Sequence, residues 1–159
     1  MAVQHQFCTF FLNDIFFGID VRHVQEVIRY QEMTSVPLAP LDICGLINLR
    51  GQIVTNVDLR RRLGMSASPV LSISVPSEQL PYNIIVHTDA EVVSLLVDDI
   101  GDIVEFTMDN FEPPPTTLKG RLRQVLQGAY KLKDGFLLIL DIEKVLNVKP
   151  DINQIAITQ

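Results

Sequence analysis

Short runs of apolar side chains, rich in β-branched and aromatic residues, recur along the chain and alternate with Gly, Pro, Asn and Asp. Such runs between turn-forming residues are typical of β-strands. The pattern predicts strands at residues 6–12, 15–19, 43–49, 52–57, 70–75, 82–88, 92–97 and 100–106, and a further pair that meets at Lys133-Asp134-Gly135. The fold is therefore predicted to be mainly β.

Short polar segments occupy the places where neighbouring strands must turn back. Asn13-Asp14 and Asp134-Gly135 favour tight hairpins, because these residue types tolerate the backbone conformations of such turns. Arg50-Gly51 joins another pair of strands. The run Pro113-Pro114-Pro115 predicts a loop, since proline has no amide hydrogen for regular strand pairing.

Three aspartates stand where a side-chain oxygen can cap the first turn of a short helix, namely Asp20, Asp58 and Asp141. The first helix is expected to carry an apolar side formed by Val21, Val24, Val27 and Ile28. The second contains Arg60-Arg61-Arg62. We expect these arginines to form a solvated face, because leucines on either side of them take the buried i, i+4 positions.

The second half of the chain repeats the order of the first. Residues 45–63 match residues 128–146 at a shift of 83, and residues 19–37 match residues 95–113 at a shift of 76. Chance similarity of a common strand-Asp-helix pattern is the alternative explanation. Taken as a duplication, the repeat predicts two small five-stranded β-barrels, because closure removes exposed strand edges. Each barrel is too small to be very stable alone, so an apolar seam between them is expected.

Composition restricts the class of partner. Apolar residues make up 47% of the 159 residues, which is enough for a normal hydrophobic core. The formal net charge is −6, which argues against nucleic acid as the binding partner. The chain begins without a signal-like segment and has no apolar run near the ~18 residues of a membrane span. A cytoplasmic protein without membrane insertion is predicted. Cys8 and Cys44 are expected to be unpaired thiols.

Sequence motifs for catalysis are absent: the chain has no GxSxG, HExxH, P-loop or GxGxxG. Its three histidines lack the spacing of metal ligands. The acidic group Asp98, Asp99 and Asp102 lies between two apolar strands, where a turn is expected. We expect neither a metal nor a cofactor. A small-ligand-binding barrel and a hydrolase or metal enzyme remain alternatives, the former requiring an enclosed cavity with convergent polar groups.

Four segments carry a more specific spacing. They are FGIDVRHVQEVI at 17–28, VPLAPLDICGLINLRGQIVTNVDLRRRLG at 36–64, VVSLLVDDIGDI at 92–103 and LLILDIEKVL at 137–146. In this order they resemble the signature segments of the CheW family of chemotaxis coupling proteins, including its Asn-Leu-Arg-Gly turn and its Asp-Leu-Arg helix start. Ser94 stands where the family usually has glycine, and this is expected to alter a strand turn.

The resemblance covers nearly the whole chain and implies a CheW-like domain of two intertwined barrel subdomains at 5–148. Residues 149–159 are predicted to form a flexible tail. It also implies a non-catalytic adaptor with two partners. One surface would bind the regulatory domain of the histidine kinase CheA, and a groove between the subdomains would receive the cytoplasmic tip of a chemoreceptor. The same module in another chemosensory array, such as one controlling twitching, is the nearest alternative.

The partner-binding positions that the resemblance implies are Val24, Glu26, Arg50, Gly51, Ile100 and Ile103. Glu26 and Arg50 are predicted to lie side by side at the groove edge, where an opposed pair can fix register while aliphatic side chains supply contact area. Because like net charge opposes self-association, we expect the isolated chain to be monomeric or weakly associating.

Overall fold

The computed structural model describes residues 4–65 and 80–148, and short strands dominate both ranges. The strands are β1 (Gln4–Leu12), β2 (Ile15–Asp20), β3 (Val24–Arg29), β4 (Ile43–Leu49), β5 (Gln52–Asp58), β6 (Tyr82–His87), β7 (Val92–Val97), β8 (Asp99–Thr107), β9 (Phe111–Glu112), β10 (Leu126–Leu132) and β11 (Gly135–Leu140). The helices are α1 (Leu59–Arg62), α2 (Gly120–Gln124) and α3 (Ile142–Asn147). The strand predicted at 70–75 and the tail predicted at 149–159 lie outside the described residues.

The strands form two sheets. The six-stranded sheet has the order β8-β1-β2-β11-β10-β9, and the five-stranded sheet has the order β3-β6-β7-β5-β4. Neighbouring strands are antiparallel except for two parallel pairs, β2 with β11 and β5 with β7. The mainly β prediction is confirmed. The extra strand β9 was not predicted, because two residues carry no alternation that a sequence pattern can reveal.

Strand pairing repeats between the two sheets with the same shifts that relate the sequence halves. Thr55 on β5 lies opposite Val93 on β7, and Leu138 on β11 lies opposite Phe17 on β2. A shift of 83 carries Thr55 onto Leu138, and a shift of 76 carries Phe17 onto Val93. Each parallel pair therefore joins one strand from each half. The two subdomains are intertwined, and neither sheet is built from one half alone.

The six-stranded sheet is rolled, so that strands near its two ends come together. The rings of Phe106 on β8 and Tyr130 on β10 stack with centroids 4.5 Å apart. These strands are four places apart in the strand order, which in a flat sheet would separate them by roughly 19 Å. In the five-stranded sheet, the segment after β3 bridges to β4 through Thr34 and Leu46. Both sheets therefore curl back on themselves as small barrels do.

The largest apolar cluster joins the two sheets. It contains Phe10 and Phe17 of the six-stranded sheet together with Val57 and Leu95 of the five-stranded sheet, all buried. A smaller cluster belongs to each sheet: Phe7, Tyr130, Leu137 and Ile139 in one, and Ile47, Leu49, Val54 and Ile85 in the other. The predicted apolar seam is thus the main core, which is consistent with subdomains that depend on each other for burial.

One predicted helix is wrong over most of its length. Only Val21–His23 forms a helical turn, of the 3-10 type, and Asp20 caps it by accepting a hydrogen bond from the Arg22 amide. The chain then continues as β3, which pairs with β6. Valine and isoleucine at these positions favour an extended backbone, and the neighbouring strand supplies the hydrogen bonds that a short helix would have to make internally.

Candidate functional site

Strand β3 presents Glu26 next to an aliphatic side. Val24, Glu26 and Ile28 are half-buried, whereas the residues between them are exposed. This alternation follows from the two-residue period of a strand. The irregular pairing of β3 with β6 falls between Val24 and Glu26, a β-bulge that locally changes the direction of the side chains. The alternation places Glu26 on the same side of β3 as Val24 and Ile28.

Arg50 and Gly51 form the tight turn between β4 and β5. Both have a left-handed backbone, with φ of 53° and 89°, as a two-residue hairpin turn requires. The side chain of Asn48 supports the turn, because its Oδ1 accepts a hydrogen bond from the Gly51 amide at 2.8 Å. The turn therefore fixes the point from which the Arg50 side chain extends.

Glu26 and Arg50 form a two-point ion pair, as predicted. Arg50 Nη1 donates to Glu26 Oε1 at 3.0 Å, and Arg50 Nη2 donates to Glu26 Oε2. The hydrogen bond from Arg50 lowers the pKa of the Glu26 carboxyl below its ordinary value, and the pKa of the guanidinium is raised by the same contact. The Arg50 side chain is 66% exposed and that of Glu26 25%, so a partner can reach the pair.

The ion pair lies at the closing seam of the five-stranded sheet, which is the line where β3 meets β4. β3 and β4 are the two ends of the strand order, yet the Arg50 turn at the end of β4 contacts Glu26 on β3. Thr34 and Leu46 form a backbone bridge along the same line, with two hydrogen bonds of 2.8 Å. The pair is therefore a surface feature of the barrel closure.

The aliphatic candidates occur in equivalent positions of the two sheets. A shift of 76 relates Val24 to Ile100, and both are half-buried against the central core. The same shift relates Val27 to Ile103, which are 40% and 63% exposed. Ile100 and Ile103 thus belong to the outer strand of the other sheet, and Val27 is an exposed position that was not among the predicted partner-binding residues.

The arginine run of α1 is not a solvated face, so that prediction is wrong for two of its three residues. Arg60 binds both carboxylate oxygens of Asp98, and Arg62 Nε donates to Asp42 at 2.7 Å. Arg60 and Arg62 are only 9% and 8% exposed. Asp98 also accepts from the Asn13 amide, so it connects the turn after β7 with the β1–β2 turn and helix α1. The turn predicted for the acidic group is confirmed for Asp98 alone, since Asp99 and Asp102 lie in β8.

Ser94 does not lie at a strand turn, contrary to expectation. It is in the middle of β7, fully buried, where its hydroxyl oxygen accepts a hydrogen bond from Asn83. The two amide side chains beside it, Asn56 and Asn83, are also buried and were not singled out from the sequence. The available signal was an asparagine next to branched aliphatic residues in each of two strands.

Within residues 4–65 and 80–148, no three His, Cys, Asp or Glu side chains come together in a way that could hold a metal ion. A cleft of about 570 Å³ lies near the turns of the β1–β2 and β10–β11 hairpins, lined chiefly by apolar residues that include Phe11, Phe16 and Phe136. It is an open surface cleft rather than the enclosed cavity that a ligand-binding barrel requires.

The helices of the described ranges are all too short to cross a membrane.

These features define a class of protein: a pseudo-duplicated β fold of two rolled sheets that exchange strands. The sequence profile of the CheW-like domain matches residues 6–149. A chain named chemotaxis protein CheW from Klebsiella aerogenes is 30% identical over 92% of this chain and 84% of its own length. Its counterpart from Treponema pallidum is 25% identical with the same coverage.

Solved structures lead to the same family. The crystal structure of the scaffolding protein TtCheW from Thermoanaerobacter tengcongensis superposes with a TM-score of 0.77 at 25% identity, and the match covers 94% of this chain and 99% of that one. The present chain belongs to the CheW-like domain family.

Proposed function

We propose that this chain is a cytoplasmic, non-catalytic adaptor that links chemoreceptors to the histidine kinase CheA in chemotaxis signalling. Membership of the CheW-like family and similarity to a scaffolding protein support this role. The observation that carries the proposal to particular residues is the accessible Glu26–Arg50 pair at the closing seam. The pair has a fixed two-point geometry and is exposed to solvent. An exposed ion pair adds little to folding, so a role in binding a partner accounts better for this geometry.

The receptor-binding surface is proposed to comprise Val24, Glu26, Arg50, Gly51, Ile100 and Ile103. Its chemistry suits a helical receptor tip, since aliphatic side chains supply apolar area and a two-point ion pair discriminates between orientations. Exposed charges of this kind contribute more to specificity and to the association rate than to affinity.

CheA is proposed to bind a separate surface through its regulatory domain, so that receptor and kinase are held at the same time. Coupling would then be positional. A shift at one interface biases the other because both are built on barrels that share the central core. No chemical step by the adaptor is required.

Binding of purified components tests the proposal. The chain is titrated with a receptor cytoplasmic-tip fragment, with the CheA regulatory domain, and with both, all from the source organism. We expect each partner to bind alone and a ternary complex to form. If neither partner binds at micromolar concentrations, the proposed function is wrong.

A matched variant shows whether the Arg50 surface is the one used. Arg50→Ala should weaken receptor binding and leave binding of the CheA domain unchanged. Lys133→Ala serves as the control, because a shift of 83 places Lys133 at the equivalent turn of the other sheet, where it is exposed. Equal losses in both variants would indicate a general charge effect rather than a specific site.

A further inference from the structure

Three fully buried polar side chains form one hydrogen-bonded cluster inside the five-stranded sheet. They are Asn56 on β5, Asn83 on β6 and Ser94 on β7. Asn83 Nδ2 donates to Asn56 Oδ1 and to Ser94 Oγ, each at 2.9 Å. We call these residues the amide cluster. It bridges three adjacent strands of the barrel.

The fold itself does not require polar residues at these positions. Under the shifts of the internal repeat, Asn56, Asn83 and Ser94 correspond to Ile139, Phe7 and Gly18 of the six-stranded sheet. Phe7 and Ile139 pack in an apolar cluster there. At two of the three positions the six-stranded sheet has an aromatic or aliphatic side chain where the five-stranded sheet has an amide, and at the third it has glycine in place of serine. The difference calls for an explanation specific to the five-stranded sheet.

The amide cluster reaches out to the segment that follows β3. Asn83 Oδ1 accepts a hydrogen bond from the Gln31 amide at 3.3 Å, and Asn56 Nδ2 contacts Met33 Sδ at 3.0 Å. Residues 31–34, here called the closing segment, then pair with β4 through the Thr34–Leu46 bridge. The cluster is therefore tied to the chain that closes the barrel.

The closing segment lies very close to the backbone of β4 at Gly45. A side-chain carbon at Gly45 would lie 2.8 Å from Met33 Cβ and 2.9 Å from the Thr34 carbonyl oxygen, so glycine is needed for this contact. Asn83 itself lies opposite Ile28 on β3, two residues beyond Glu26. The closing seam thus has the Glu26–Arg50 pair near one end and the closing segment at the other.

We propose that the amide cluster positions the closing segment and, through it, aligns β3 with the β4–β5 hairpin so that Glu26 and Arg50 meet as a pair. The three residues are positioning residues that touch no partner. Hydrogen bonds between buried amides are directional and costly to leave unmade, so they favour one arrangement where apolar packing allows several. The binding consequence rests on the proposed function, whereas the alignment does not.

The test replaces the three residues together, so that none of them is left without its partner in the cluster; only the part-buried Gln31 backbone amide loses its acceptor. The variant Asn56→Leu, Asn83→Leu, Ser94→Ala should fold, because removing all members of a polar network together is far less harmful than removing one. Three quantities are measured: the Glu26 carboxyl pKa by carbon-detected NMR, hydrogen exchange of the Gln31 amide, and affinity for the receptor-tip fragment. Exchange of β10–β11 amides and affinity for the CheA regulatory domain are the references.

We expect the Glu26 pKa to rise towards its ordinary value, Gln31 exchange to accelerate relative to the references, and receptor affinity to fall by about fivefold or more, the scale of a modest coupling. A folded variant with the wild-type Glu26 pKa and wild-type receptor affinity would overturn the inference, since the cluster would then only fill space. Should the triple variant not fold, Ser94→Gly, which copies Gly18 of the other sheet, gives the same test with smaller changes in the same direction.

The two proposals fail in different ways. If the wild-type chain does not bind the receptor fragment, the proposed function is wrong, and the Glu26 pKa and Gln31 exchange still decide whether the amide cluster aligns the seam. If the wild type binds and the folded variant keeps the wild-type Glu26 pKa and receptor affinity, the positioning role alone is wrong.

Discussion

Asp42 and Arg62 form an ion pair 2.7 Å long whose carboxylate is completely shielded from solvent. Arg62 also donates to the carbonyl oxygen of Val145 at 3.4 Å, so it connects the loop before β4, helix α1 and helix α3. One Asp42 oxygen has no hydrogen-bond partner among the described residues. Arg62 is therefore the main counter-ion of the buried Asp42 carboxylate.

Arg62→Ala should be strongly destabilising, because it leaves a buried carboxylate without its counter-ion. Breaking one side of a buried pair typically costs about 3–5 kcal/mol of the free energy of unfolding. Urea unfolding followed by circular dichroism measures the change. Arg61→Ala, between the two buried arginines, is the control and should change stability by less than about 0.5 kcal/mol. Similar losses in the two variants would contradict the importance of the Asp42 contact.

Glu26→Ala and Arg50→Ala should each weaken receptor binding while leaving the melting midpoint nearly unchanged. A largely exposed pair adds little to folding, because solvent screens it and both side chains lose freedom on pairing. Isothermal titration with the receptor-tip fragment and thermal melts give the two readings. Normal receptor affinity in both single variants would show that Glu26 and Arg50 have no role in receptor binding.

Charge reversal tests whether the two residues act together. The double variant Glu26→Arg, Arg50→Glu should recover part of the affinity that each single reversal loses, since a double-mutant cycle isolates the interaction between the two groups. The same titration measures all four proteins. Strict additivity of the two losses would show that each side chain acts on the partner independently.

The ion pair also predicts a pH dependence of defined sign. Arg50 holds the pKa of Glu26 below its ordinary value of 4.5. A lowered carboxyl pKa means that the pair stabilises the native state above pH 4.5 and that this contribution is lost as the pH falls through the lowered value. An NMR titration of Glu26 should give a midpoint below 4.5, and Arg50→Ala should return it towards 4.5. An unchanged midpoint in Arg50→Ala would show that Arg50 is not the cause.

Cys44 is expected to be unreactive in the native protein. Burial is the main cause that raises the pKa of its thiol to about 12, and its hydrogen points to the Asn56 carbonyl oxygen at 3.2 Å. Since the thiolate is the reactive form, labelling by a disulfide reagent at pH 8 should be much slower than in urea. Cys44→Ser identifies which of the two labelling phases belongs to Cys8. Fast labelling of native Cys44 would contradict the burial.

The isolated chain is expected to sediment as a monomer at moderate concentration. Its net charge of −6 opposes self-association, most strongly at low salt. Sedimentation velocity at two salt concentrations measures the distribution. A tight dimer at both salt concentrations would contradict this expectation.

Local chemistry explains which parts of the fold could be predicted. Asn13 and Asp14 both adopt the left-handed backbone that their residue types tolerate, so the first hairpin follows from the sequence. Asp141 caps α3 by accepting from the Lys144 amide, again as predicted. The duplication was visible because equivalent residues keep their spacing, and the matched strand pairing now supports it.

Distant partners explain what could not be predicted. Val24 and Ile28 fit one side of a helix as well as one face of a strand, and only pairing with β6 decides for the strand. Arg60 and Arg62 look solvated until Asp98 and Asp42 are brought to them across 38 and 20 residues of sequence. The contact between Glu26 and Arg50 was expected from the family resemblance and not from any periodicity.

Strand exchange between the halves has a consequence for the origin of the fold. β5 completes its sheet beside β7, and β11 completes the other beside β2, so each half supplies what its duplicate lacks. A single unduplicated half would leave those strand edges open, and a second copy related by a twofold axis would close both at once. The chain therefore has the architecture of a domain-swapped homodimer whose two subunits have become one polypeptide, free to diverge independently into an aromatic barrel and an amide-containing one.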